Sequence, residues 1–245
     1  MSGHSKWNNI KRKKEKTDGQ KAKVFTKMAR EIAMAIKEGG SADPNANSRL
    51  KDAIAKAKAN NVPNDNIDRV IKKAAGDGNA NTYEALQYEG YGPSGIAVIV
   101  ETLTDNRNRT AGEMRHYFDK CGGNLGQTGC VSFMFNKKGV LAIEAEGQDE
   151  DDVMEKALEA GASDFNADGD VFEIITEPED FSAVRDDLEK LGFSFVSAEV
   201  EMLPDVYSSI DDPEAAERMD KLLDLLEDND DVQNVWHNWE RPDED

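Results

Sequence analysis

Residues 96–110 read IAVIVETLTDNRNRT, and the change of character inside them decides how the chain is built. The first nine, IAVIVETLT (96–104), are almost continuously apolar and rich in β-branched side chains, the pattern of a central strand in a sheet. TDNRNRT (104–110) then turns into a helix. Thr110 followed by Glu113 predicts a capping box, and Ala111, Met114 and Phe118 make the inner stripe. The helix stops at Cys121-Gly122-Gly123. Residues 82–89 are strand-like, and GYGPSG (90–95) reads as the turn into the central strand. Gly90, Gly92 and Gly95 have the spacing GxGxxG. That run precedes a strand, whereas a dinucleotide fingerprint follows one and opens a helix, and Pro93 removes a donor, so it reads as a turn.

Upstream, residues 1–19 have no apolar period and predict an extended arm. Phe25, Met28, Ile32 and Ile36 fall at helical spacing over residues 20–38, and Gly39 and Gly40 end that helix. A second helix covers about 47–59, with Leu50, Ile54 and Ala57 on one face, and Pro63 breaks it. Asn64 reads as the N-cap of a third, with Ile67, Val70, Ile71 and Ala74 facing inward. GDGNAN (76–81) reads as a linker.

Downstream, VSFMF (131–135) and VLAIEA (140–145) flank NKKG, which reads as a hairpin. A helix over about 150–160, a strand VFEIIT (171–176), a helix striped by Phe181, Val184, Leu188 and Leu191, and a strand over 195–202 follow. The order β-β-α-β-α-β implies a compact α+β sheet with helices on one face. The tail adds a helix from Pro213 to about Glu227 and a strand over 232–239, which have no sheet of their own. The economical solution returns them to the sheet begun at residue 82. The expected fold class is therefore α+β: an N-terminal three-helix domain followed by two α+β sheet domains, the middle one inserted in the other. The expected boundaries are 1–81 for the basic arm and helices, 82–130 plus 205–245 for the discontinuous domain, and 131–204 for the insertion.

The chain has 245 residues and a net charge of −20, which taken alone argues against a polyanionic partner. The average conceals a split. Residues 1–75 hold 18 Lys+Arg against 8 Asp+Glu, and residues 76–245 hold 12 against 42. Such asymmetry predicts a basic binding part on an acidic, well-solvated body. No apolar run approaches the roughly 20 residues that span a bilayer. MSGHSKW leads into lysines and not into an apolar segment, so no secretory signal and no membrane partner are expected. Cys121 and Cys130 have no CxxC spacing and read as reduced thiols, consistent with a cytoplasmic protein.

The densest candidate for function is the arm with the first helix. Lys6, Lys11, Arg12, Lys13, Lys14, Lys16, Lys21, Lys23, Lys27 and Arg30 supply ten positive charges, and phosphate neutralisation with counterion release needs such a series. Trp7 is placed to stack on a base, or else packs on the body. Lys23, Lys27 and Arg30 lie opposite or beside the apolar stripe and so are expected to stay in water. Arg107 and Arg109 project from a strand-to-helix turn, where helix N–H groups favour anions. Either they add a phosphate contact or they pair with local acids while Asp105, Asn106 and Asn108 shape the turn. His4, His116 and His237 are scattered, and no HExxH, GxSxG or Walker sequence occurs. The acidic runs at 149–152 and 228–231 read as caps and solvated faces. No enzyme, metal, cofactor or small-molecule substrate is expected.

GHSKWxxIKxxK (3–14), GYGPSGIAVIVETLTDNRNRT (90–110), GGNLGQTGCVSFMF (122–135) and DDVQNVWHN (230–238) together resemble the YebC/PmpR family across essentially the whole chain. The resemblance implies three domains with the middle one inserted, and a cytoplasmic DNA-binding transcriptional regulator. It also implies an alternative, because a mitochondrial relative is a translational activator and some bacterial members act on ribosomes stalled at proline-rich sequences. The expected partner is thus DNA, or else the ribosome and its RNA. Cys130 stands where many relatives carry a small residue, a packing variation.

Overall fold

The computed structural model describes residues 21–76 and 83–241. They begin with three helices, α1 (Lys21–Gly39), α2 (Ser48–Ala59) and α3 (Asn64–Gly76). Met28, Ile32, Ala35, Ile36, Leu50, Ala53, Ala57, Val62 and Ile67 form their common core. The joint between α1 and α2 is pinned by Asn47. Its side chain accepts from Leu50 N as the N-cap of α2 and donates to the carbonyls of Ala35 and Ser41. Gly39 is required there, because a Cβ would lie 2.3 Å from the Asn47 amide. Asn64, expected to cap α3, is instead its first residue, and the Pro63 carbonyl accepts from Asn66 and Ile67 N–H.

The first sheet comprises β1 (Glu84–Tyr91), β2 (Ala97–Thr104), the short β3 (Asn124–Leu125) and, from the far end of the sequence, β8 (Val232–His237), in the order β3-β1-β2-β8. Every neighbouring pair is antiparallel. Two helices accompany it, α4 (Arg107–Lys120) and α7 (Pro213–Glu227). Val98 and Val100 pack with Met114, Phe118, Met219, Leu222 and Leu223 from those helices. The alternate residues Ala97 and Ile99 are buried too, so β2 is covered on both faces, which is why its sequence lacks polar alternation. Of GYGPSG (90–95), expected as a turn throughout, Gly90 and Tyr91 still belong to β1 and the turn is Gly92–Gly95: Gly92 N–H donates to the Ile96 carbonyl, and Gly95 has φ +78°.

Between β3 and α7 lies a second sheet, built from β4 (Phe135–Glu144), β5 (Asp164–Asp168), β6 (Val171–Thr176) and β7 (Ser197–Pro204), in the order β5-β6-β4-β7. Helices α5 (Glu150–Glu159) and α6 (Phe181–Lys190) complete a β-α-β-β-α-β unit of the split βαβ kind. Leu141, Ile143, Phe172 and Ile174 form its core with Val153, Ala157, Val184 and Leu188. Two local expectations are corrected. NKKG (136–139) is no hairpin but runs inside β4, and Ser132–Met134 is a short 3-10 turn before it. The polar segment DFNAD, assigned to no element from the sequence, is strand β5.

The chain divides into two compact units, residues 20–135 with 204–239, and residues 136–203. The three helices thus share a unit with the first sheet while keeping their own core. The polar contacts that join them centre on one buried acid.

A candidate nucleic-acid interface and its buried anchor

That acid is Asp231, whose side chain is 4% exposed. Its carboxylate accepts from Arg30 Nη1 at 2.7 Å, Arg109 Nη2 at 2.6 Å, Thr104 Oγ1 at 3.0 Å and Thr110 Oγ1 at 2.8 Å. Burial alone would raise its pKa. The hydrogen bonds from Arg109, Thr110, Arg30 and Thr104 outweigh that and hold it below the ordinary carboxylate value. Arg109 is correspondingly raised, first by its bond to Asp231 and then by Asp105, which it meets at 2.9 Å. Arg30 also donates to the carbonyls of Asp230 and Leu103. One carboxylate thus ties α1, the end of β2, the start of α4 and the segment entering β8.

The turn between β2 and α4 is shaped for this. Asn106 caps the helix by accepting from Arg109 N–H, and Asn106 N–H donates to Thr104 Oγ1. The expected capping box at Thr110 is therefore corrected. Thr110 lies one turn inside α4, fully buried, and its hydroxyl serves Asp231.

Two more α1 cations are similarly engaged. Lys27 donates to the Glu227 carbonyl at 2.7 Å, and Lys23 to the Asp228 carbonyl at 3.2 Å. Those groups end α7, where unsatisfied carbonyls and the negative pole of the helix dipole attract cations. The expectation that Lys23, Lys27 and Arg30 stay in water is thus corrected for Lys27 and Arg30. Lys23 is half-exposed, and the Arg30 side chain is only 14% exposed. Lys21 is exposed at the start of α1, and Arg107 is exposed at the start of α4. Arg109 keeps 43% of its side chain in solvent despite its two acidic partners. Of the two readings of the arginine turn, Arg109 shows the local pairing and Arg107 does not. Lys6, Trp7, Lys11, Arg12, Lys13, Lys14 and Lys16 lie outside the described residues.

A second buried acid went unread in the sequence. Glu89, 1% exposed, accepts from the backbone N–H groups of Gly129, Val131 and Ser132 and from the Gln87 amide. Burial pushes its pKa up, but these donors win and leave it lowered. The carboxylate thereby shapes the Gly-rich segment 126–132, with no cation paired to it among the described residues. Cys121 and Cys130 are unpaired thiols, both raised chiefly by burial, which makes them poor nucleophiles. Among the described residues no group of His, Cys, Asp and Glu is arranged to hold a metal ion, and no helix is long and apolar enough to cross a membrane.

Residues 5–77 match the family model described as the TACO1/YebC protein N-terminal domain, and residues 83–239 match the TACO1/YebC second and third domain. A protein of Acetivibrio thermocellus called a probable transcriptional regulatory protein is 64% identical over 240 residues, covering 98% of this chain and 99% of its own. One of the same description from Caldicellulosiruptor bescii is 60% identical over the full length of both. The crystal structure of a conserved hypothetical protein, Aq1575, from Aquifex aeolicus superposes with a TM-score of 0.83 at 45% identity, covering 93% of each chain. With both family models matched in chain order and relatives alike from end to end, the chain belongs to the YebC/PmpR family.

Proposed function

We propose that the protein is a cytoplasmic DNA-binding transcriptional regulator that performs no chemistry and grips the phosphate backbone with its basic N-terminal segment. The observation that carries this reading is the segregation of charge: 18 Lys+Arg against 8 Asp+Glu in residues 1–75 of a chain whose net charge is −20. A cationic front on an anionic body is attracted to a polyanion and keeps the body off it. The described geometry sharpens the assignment. Because Lys23, Lys27 and Arg30 serve α7 and Asp231, the grip falls to Lys21 and the cations before it. The description shared by the close relatives supports the regulatory role.

The test is replacement of Lys11, Arg12, Lys13 and Lys14 by alanine in the full chain. Affinity for a labelled DNA duplex is expected to fall. The dependence of log affinity on log salt is expected to flatten by roughly one unit for each phosphate no longer neutralised. Unchanged binding would remove the segment from the mechanism. Retention on ribosomes with indifference to DNA would move the target to RNA.

A further inference from the structure

The outer face of α4 is built unlike the rest of the acidic body. Of the twelve Lys+Arg in residues 76–245, four fall within its fourteen residues: Arg107, Arg109, Arg115 and Lys120. Against them α4 carries two acids. Glu113 is half-buried and accepts from Asn229, and Asp119 is exposed. Arg107, Arg115 and Lys120 are exposed and have no ion-pair partner among the described residues.

At the middle of this face stands Gly112, which is exposed, has no positive φ, and would meet nothing within 4 Å if it carried a Cβ. Glycine inside a helix costs stability relative to alanine. Here no packing contact and no turn explains it. Its neighbours on the helix surface, three and four residues away, are Asn108, Arg109, Arg115 and His116. A bare strip of backbone is therefore ringed by two guanidinium groups, an imidazole and an amide, all hydrogen-bond donors. Such a strip allows a ligand chain to lie close against the helix.

We propose that the outer face of α4 is a second docking surface for a nucleic-acid phosphodiester backbone, with Gly112 as its floor and Arg115 and His116 as its donors. This rests on the reading of the protein as nucleic-acid-binding and adds a contact outside the N-terminal segment. The spacing suits a polyanion. Arg109 and Arg115 flank Gly112 three residues to either side, about 9 Å apart along the helix, a length over which one DNA strand presents roughly two to three phosphates. Arg109 is anchored through Asp231 and Asp105 and so is held in place at the edge of the strip.

The experiment measures fluorescence anisotropy of the full chain with a fluorescein-labelled 20-base-pair DNA duplex and with the matching RNA duplex, between 50 and 200 mM KCl. Across that range each neutralised phosphate contributes about a 3-fold fall in affinity. Arg115→Ala replacement is expected to shrink the salt-driven fall by about that factor, while Arg115→Lys keeps it. Gly112→Gln is expected to move two readouts in opposite directions. Its thermal midpoint rises by roughly 2–4 °C because a better helix former replaces glycine, and its affinity falls because a side chain covers the strip. Weaker binding of the DNA duplex assigns the face to DNA, and weaker binding of the RNA duplex assigns it to RNA. If the α4 variants bind as the parent does while the Lys11, Arg12, Lys13 and Lys14 variant binds more weakly, this inference falls and the proposed function stands. If the parent binds neither duplex, both fall.

Discussion

Asp231→Asn exchanges one carboxylate oxygen for an amide nitrogen at the point where four donors converge, and its cost follows from what each donor is left facing. Arg30 is 14% exposed and loses its counterion, the situation in which breaking a buried pair costs about 3–5 kcal/mol. Arg109 is 43% exposed and retains Asp105, so its share is about 1 kcal/mol or less. The hydroxyls of Thr104 and Thr110 point at the same oxygen, and each such bond is worth about 1 kcal/mol. An asparagine oxygen keeps part of this, which leaves an expected loss of about 3 kcal/mol. In urea that shifts the midpoint by about 1–2 M. Trp236 and Trp239 lie in the same compact unit as Asp231, so their fluorescence reports the transition. Arg30→Ala is expected to cost more than Arg109→Ala, in the order of their burial. The carboxyl is depressed in the folded state, so its contribution is fully present above the unfolded value near 4 and is lost as pH falls through the lower folded value. The parent is therefore expected to lose stability below about pH 4 faster than the asparagine variant. A loss under 1 kcal/mol at pH 7, or parallel acid profiles, would refute the claim that Asp231 anchors the helices to the sheet.

Glu89→Gln keeps the shape of the second buried acid but weakens charge-assisted bonds to three amides, at an expected cost of about 1–3 kcal/mol. Hydrogen exchange should quicken at Gly129, Val131 and Ser132, and a change spread evenly over the chain would speak against a local role. Asn106→Ala removes the cap of α4 and is expected to cost about 1 kcal/mol in the same urea titration, whereas Glu113→Ala leaves the start of the helix intact. The reverse ranking would restore the capping box.

The elements that periodicity could show were readable in the sequence. β2 is apolar at nearly every position because both its faces are covered, and α7 starts where Pro213 and the Asp212 cap place it. The misreadings have physical sources. Gly139 looks like a turn residue beside two lysines, yet a Cβ there would lie 2.2 Å from Thr176 Oγ1 and 2.7 Å from Phe181. Glycine is present because β4 passes close to its neighbours, which composition cannot distinguish from a turn. β5 stands at the edge of its sheet and needs few apolar residues, so DFNAD carries no strand signal. Thr110 and Glu113 satisfy a capping pattern that Asn106 fulfils four residues earlier.

The site was less readable than the fold because charge type does not reveal what a charge faces. Lys23, Lys27 and Arg30 have the spacing of one helix face, and that much is local. The carbonyls and the carboxylate that receive them come from residues 227–231, some two hundred positions away. In the sequence those residues read EDNDD and resemble a solvated acidic run. Asp231 differs from its neighbours only because β8 turns it beneath Arg30 and Arg109. The consequence bears on function. Cations consumed inside the fold cannot also release counterions from a nucleic acid. A count of basic residues therefore overstates the grip, and the number of phosphates held should be taken from the slope of affinity with salt. A slope that demanded Lys27 and Arg30 among the gripping cations would mean that α1 leaves α7 on binding, and amide exchange in the last turn of α7 would then speed up when nucleic acid is added.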